Sequence, residues 1–132
     1  MRFYQDTDTI IAPITSTVGG SVSLLRISGP KSILIADRFF AGKNLKELEG
    51  GRFVHGQLKN KNQQTIDDVV VYLYRRPKSY TGEDVIEIGC HANNFIVKDI
   101  LDLFIKSGCR LAEPGEFSKR AFLNGKMDLV QT

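Results

Sequence analysis

Three side chains in this sequence are of the types that hold a polar ligand. Arg26 closes the run Leu24-Leu25-Arg26, Glu87 lies within Val85-Ile86-Glu87-Ile88, and Lys126 follows Asn124-Gly125. A guanidinium near a strand end can fork onto a carboxylate or carbonyl. A carboxylate on a strand offers paired acceptor oxygens on a rigid support, as the N–H groups of a planar heterocycle require. A lysine at a helix start can reach an acidic tail. Each residue also has a plain alternative: Arg26 and Glu87 suit the solvent face of a strand, the arginine with its stem packed on the sheet, and Lys126 suits a solvated helix start. The period-two neighbours of Glu87, Val85 and Gly89, leave its direction open.

Lys126 belongs to the densest stretch of the chain, RLAEPGEFSKRAFLNGKMDL at 110–129. Pro114-Gly115 sets a turn, Glu116 and Arg120 stand at a helical i,i+4 spacing, and Asn124-Gly125 signals chain reversal. A second polar stretch, Ser79-Tyr80-Thr81-Gly82-Glu83-Asp84, reads either as a turn needing an unusual dihedral at Gly82 or as a ligand lid or subunit contact using Tyr80. Cys90-His91 reads as a buried thiol beside a half-exposed imidazole, because a reactive pair requires a depressed thiol pKa.

These residues need elements to carry them. Thr9 to Thr15 and Val22 to Ile27 are β-rich runs separated by Gly19-Gly20. Pro30 fits the first turn of a helix whose apolar face runs through Ile33, Leu34, Ile35, Ala36, Phe39 and Phe40 to Gly42. Arg52 to Leu58 and Ile66 to Tyr74 predict a hairpin, and Asp84 to Cys90 another strand. Phe95 to Lys106 has helical spacing with Gly108 as its stop, and Cys109 to Ala112 predicts a short strand. The order ββα, ββ, βαβ predicts an α+β fold, a mixed and largely antiparallel sheet with two main helices on one side. Lys126 to Thr132 reads as the start of a helix that is not completed, as in a fragment of a longer protein.

With 132 residues, 42% of them hydrophobic, the chain can bury a core as one domain without staples. A net charge of +3, from 18 basic against 15 acidic residues, is too mild for wholesale nucleic-acid binding. Two cysteines, Cys90 and Cys109, form no zinc motif and are expected to be reduced thiols. No signal peptide or membrane-length apolar run is present, which predicts a soluble, cytoplasmic protein with no membrane partner. There is no GxxxxGK followed by Ser or Thr to cradle phosphates, and neither His55 nor His91 has a sequence neighbour that completes a hydrolytic triad.

The strings DTIIAPIT at 8–15, LLRISGP at 24–30, SYTGEDVIEI at 79–88 and RLAEPGEFSKRAFLNGKMDLVQ at 110–131 closely resemble the amino-terminal domain of the tRNA modification GTPase family MnmE, also called TrmE. The resemblance implies a fold like the tetrahydrofolate-binding domain of glycine-cleavage aminomethyltransferases. It implies a folate-binding and homodimerisation domain at 1–123, with 124–132 beginning a helical domain. By motif match the folate contacts fall on Arg26, Glu87 and Lys126, with 5-formyltetrahydrofolate or 5,10-methylenetetrahydrofolate as ligand and no catalytic residue or metal in this region.

In the family, a potassium-dependent GTPase domain using GTP and Mg2+ follows. The whole protein works with the flavoprotein MnmG to place an aminomethyl or carboxymethylaminomethyl group on carbon 5 of the tRNA wobble uridine, the folate being the proposed one-carbon donor. This stretch alone is expected to lack GTPase activity. His91-Ala92-Asn93 departs from the family's histidine and two glycines, which questions the local turn. Two other readings remain. A tRNA-contacting module would use Arg110, Lys119, Arg120 and Lys126, and a folate-dependent aminomethyltransferase would rest on fold analogy alone.

Overall fold

The structure is a computed structural model that describes residues 4–15 and 20–126. Strands β1 (Ile10–Pro13) and β2 (Val22–Ser28) precede helix α1 (Ser32–Phe39), which runs directly into the two-residue strand β3 (Phe40–Ala41). A 3-10 turn at Leu45–Glu47 leads to β4 (Arg52–Lys59), β5 (Thr65–Tyr74) and β6 (Val85–His91). Helix α2 (Asn94–Lys106), strand β7 (Arg110–Leu111) and helix α3 (Glu116–Leu123) complete the order.

The strands form one sheet in the order β3-β4-β5-β6-β2-β1-β7. Neighbours are antiparallel except β1 and β7, which run parallel. The α+β class and the mixed sheet follow from the alternation of the sequence. Leu25 and Ile27, Val71 and Leu73, and Ile86 and Ile88 turn to one face and are almost fully buried. There they join Ile33, Ile35 and Phe39 of α1 and Val97, Ile100, Leu103 and Phe104 of α2 in a single core. Burying such side chains contributes about 1.5–3 kcal/mol each.

Two expectations are corrected. Among the described residues the helix count is three, since the segment after Pro114-Gly115 folds into α3. Phe117 on α3 lies over Arg26, whose neighbours Leu25 and Ile27 point into the core, so α3 approaches the sheet from the face opposite α1 and α2. Phe40 belongs to β3 rather than to the preceding helix; its ring fills the space beside Gly56, where an added Cβ would come within 2.4 Å of it.

The local signals are used much as chemistry predicts. Gly108 stops α2 with φ +121°. Asn93 starts the same helix, its side chain accepting from the N–H groups of Phe95 at 2.8 Å and Ile96 at 3.2 Å. Neither Ala92 nor Asn93 takes a positive φ. The turn after His91 therefore needs no glycine in this chain, and Asn93 gains a capping role that a glycine lacks. The expected helix start at 126–132 lies, beyond Lys126, outside the described residues.

Candidate functional site

Arg26 on β2 and Glu87 on β6 are direct partners in the antiparallel ladder. Both alternate with core residues, so both project from the sheet face that α1 and α2 leave uncovered. Arg26 Nε donates to Glu87 Oε2 at 2.8 Å, and the two side chains are only 16% and 13% exposed. Among the described residues no hydrogen bond occupies Glu87 Oε1 or the Nη groups of Arg26, which leaves an acceptor and a donor fork side by side.

Aromatic rings surround this pair. The Arg26 guanidinium lies 4.5 Å from the centroid of Tyr80 and 5.2 Å from that of Phe117, within cation–π range of both. Tyr72 on β5 is the ladder partner of Glu87 on its other side, and its ring packs against Phe53 at 5.8 Å. Burial pushes the Tyr74 phenol up, and the Glu87 carboxylate pushes it further in the same direction. Two residues along β6 from Glu87, Gly89 floors a cavity of about 540 Å³ lined also by Val22, Val70, His55, Gln57 and His91. That size falls in the range of about 300–1,000 Å³ typical of small-molecule sites.

Tyr80 belongs to the loop 79–84, which is fixed at nearly every residue. The Thr81 and Ser28 hydroxyls lie 2.7 Å apart, and Ser28 Oγ also donates to Glu83 Oε1 at 2.7 Å. Tyr80 Oη is bonded to Ser118 Oγ of α3 at 3.0 Å, and Asn124 Nδ2 donates to the Thr81 carbonyl at 2.8 Å. Gly82 adopts φ +83°, and an added Cβ would sit 2.8 Å from Asn124 Cβ and 3.3 Å from Lys126 Cγ.

Helix α3 is in turn anchored by a buried ion cluster. Glu116 receives both Nη groups of Arg110 at 2.8 Å, Arg120 Nη2 at 2.9 Å and the Glu113 N–H at 2.8 Å. Arg120 also donates to both Glu83 oxygens, at 3.0 and 3.1 Å, and Arg110 Nε to Asp8 Oδ2 at 2.9 Å. Burial pushes the Glu116 carboxyl up, but the bonds from Arg110, the Glu113 N–H and Arg120 outweigh it and hold the group down at about 2. The same bond to Glu116 raises the Arg110 pKa above its ordinary value.

The three ligand-type residues are thus distributed over one continuous assembly. Arg26 and Glu87 meet directly. Lys126 is exposed and lies against Gly82, at the other end of the loop that places Tyr80 over Arg26; among the described residues no hydrogen bond or ion pair links it to Arg26 or Glu87. The i,i+4 pairing of Glu116 and Arg120 is present, as their spacing predicts.

Other expectations change. Arg110 and Arg120 are 5% and 1% exposed and ion-paired, and Lys119 pairs with Asp6 at 3.2 Å. Two of the four cations that motivate a tRNA-contacting surface are therefore buried within the chain, while Lys119 and Lys126 stay at its surface. His91 has a partner that sequence neighbours do not reveal, since its Nδ1 lies 2.8 Å from Asp67 Oδ1. No triad results, because Cys90 faces the core on the other side of β6 and burial pushes its thiol up to about 11. The proximity of Phe117 and Tyr72 to the Arg26–Glu87 pair carries no local sequence signal, being set by the docking of α3 and the register of β5. Among the described residues no group of three or more His, Cys, Asp or Glu side chains could hold a metal, and no helix is long and apolar enough to cross a membrane.

Comparison with known proteins agrees with the resemblance in the motifs. The family model described as GTP-binding protein TrmE N-terminus matches residues 9–126. A tRNA modification GTPase MnmE from Thermotoga petrophila is 49% identical over 123 residues, covering 93% of this chain and 27% of the relative. The protein of the same name from Bacteroides thetaiotaomicron is 48% identical over 131 residues, covering 96% and 28%. That from Streptococcus thermophilus is 44% identical over 131 residues, covering 99% and 28%. The chain therefore spans little more than a quarter of the length of these relatives. On the family match and these identities, the chain belongs to the TrmE N-terminus family and corresponds to the amino-terminal domain of tRNA modification GTPases of the MnmE type.

Proposed function

We propose that this chain is the tetrahydrofolate-binding and homodimerisation domain of a cytoplasmic GTPase that modifies carbon 5 of the tRNA wobble uridine together with MnmG. The observation that carries the reading is the Arg26–Glu87 pair on the uncovered sheet face. Its residues suit a reduced folate. Glu87 Oε1 is an acceptor for the N–H groups of a pterin ring, the surrounding rings and the cavity at Gly89 suit a flat heterocycle, and the Arg26 fork suits a carbonyl or carboxylate. Lys126, beyond the loop, is a cation for the acidic tail.

When bound, 5-formyltetrahydrofolate or 5,10-methylenetetrahydrofolate supplies a one-carbon unit. The residues here bind and orient it, and nucleotide hydrolysis with GTP, Mg2+ and K+ belongs to the rest of the full-length protein. Such a role accords with a fold like the folate domain of glycine-cleavage aminomethyltransferases. Calorimetry of this chain with 5-formyltetrahydrofolate, joined to sedimentation analysis, tests the reading. Saturable binding by a dimer, lost in Arg26→Ala and Glu87→Ala, is expected. A folded chain with no saturable binding sinks it.

A further inference from the structure

Arg26 is held by more than its carboxylate. A single bond from Nε leaves an arginine free to swing about that bond, yet here the guanidinium has a ring on each of two neighbouring elements, Tyr80 of the loop and Phe117 of α3. Tyr80 is 45% exposed, so core packing does not hold its ring in place. What fixes it is the bond from its hydroxyl to Ser118, one residue beyond Phe117 on the same helix. At the C-terminal cap of that helix Asn124 ties the same loop to it through the Thr81 carbonyl.

We infer that Tyr80 is a positioning residue for the Arg26 site: with its ring latched to α3 through Ser118, it closes with Phe117 on the guanidinium and aims the Nη fork away from the sheet, toward a carboxylate- or carbonyl-bearing ligand. The inference rests on the reading of Arg26 as a ligand contact and adds what orients it. An attractive contact between an aromatic face and a guanidinium, partly shielded from water, corresponds to about a fivefold to tenfold effect when it sets the geometry of a binding group. The hydroxyl contributes only by holding the ring, so Tyr80→Phe and Ser118→Ala are expected to share one smaller loss.

Two measurements on the 132-residue chain test this. The first needs no ligand. In a nitrogen-labelled sample the Arg26 Nε–H resonance is expected to be ring-current shifted and protected from water, to lose part of that shift in Tyr80→Phe, which keeps the ring but frees it from Ser118, and to move further toward the position of a free arginine in Tyr80→Leu. An unchanged resonance in Tyr80→Leu overturns the inference whatever the chain binds. The second is a double-mutant cycle in calorimetry with 5-formyltetrahydrofolate. Tyr80→Leu is expected to weaken binding about tenfold in the native background and hardly at all when Arg26 is already lysine, with Ser118→Ala adding nothing to Tyr80→Phe. Additive losses of Tyr80→Leu and Arg26→Lys overturn the inference while leaving the folate reading intact. A native chain that does not bind folate, with the resonance behaving as expected, instead removes the folate reading and leaves Tyr80 as the residue that orients Arg26.

Discussion

Asn124 donates its side-chain N–H to the carbonyl of Thr81 at 2.8 Å, joining the first residue after α3 to a loop more than forty positions earlier. Thr81 is fully buried, so its carbonyl has little access to water in compensation. Asn124→Leu is expected to destabilise the chain by about 1–3 kcal/mol, the cost of leaving such a group unpaired. Amide exchange should quicken in residues 79–84 before it quickens in β6. Uniform exchange across both would show that the loop is held independently of α3.

Gly82 tests the same junction from the other side. Its φ of +83° disfavours any side chain, and the missing Cβ would meet Asn124 Cβ at 2.8 Å. Gly82→Ala should cost about 1–3 kcal/mol in urea unfolding through backbone strain alone, with the clash adding to it. Gly115 offers a control: its φ is +76°, but an added Cβ there meets nothing within 4 Å. Gly115→Ala should therefore be the milder of the two, and equal costs would mean that the contact with Asn124 contributes nothing.

The pH dependence of stability follows from Glu116. Its carboxyl is held at about 2 in the folded chain against an ordinary value of 4.5, so the folded state binds the anion and disfavours the proton. The stabilisation is fully present above the ordinary value and is lost as pH falls from there through about 2. The shift corresponds to on the order of 3 kcal/mol. Denaturant midpoints measured from pH 7 down to pH 2 should fall steeply below pH 5, and Glu116→Gln should flatten that fall while lowering stability at pH 7. A variant with an unchanged acid limb would place the effect on other carboxylates.

Much of this arrangement is readable in the sequence because the strands and helices α1 and α2 announce themselves through apolar period. Val85, Ile86 and Ile88 mark β6, and Phe95 to Phe104 mark α2. Helix α3 is less visible for a physical reason: it is anchored by Glu116 and Arg120 in a buried ion cluster, and those are residues that pattern reading assigns to solvent. The same reason makes Arg110 and Arg120 look like part of an exposed cationic cluster until Glu116, Glu83 and Asp8 are seen beside them. β3 has two residues and no period to read. The meeting of Arg26 with Glu87 is a matter of strand register, which the sequence leaves open and the motif resemblance anticipates only as a shared ligand.

The thiols offer a direct check on which face of β6 is core. Burial pushes Cys90 up to about 11 and Cys109 to about 12, and both are nearly inaccessible. At pH 8 the thiolate fraction is therefore very small as well as shielded. Neither thiol should react with an aromatic disulfide reagent at pH 8 until urea unfolds the chain, after which both should react together. Rapid reaction at Cys90 in the folded chain would reverse the assignment of faces and put Glu87 in the core.

Binding and stability can be separated at the Arg26–Glu87 pair itself. Removing only the carboxylate, as in Glu87→Leu, leaves a largely buried guanidinium without its ion-pair partner, a situation that costs a few kcal/mol, up to about 3–5 when burial is complete. Replacing both partners, as in Arg26→Met with Glu87→Leu, removes the unpaired charge and places apolar atoms among Tyr72, Tyr80 and Phe117. The double variant should recover most of the stability lost by Glu87→Leu, because two well-packed apolar groups often match a buried ion pair. It should nevertheless bind no 5-formyltetrahydrofolate, since neither the acceptor nor the donor fork remains. Thermal unfolding and calorimetry on the native chain and these two variants decide the matter. A double variant that is stable and still binds would show that the pair serves the sheet and that the ligand site lies elsewhere.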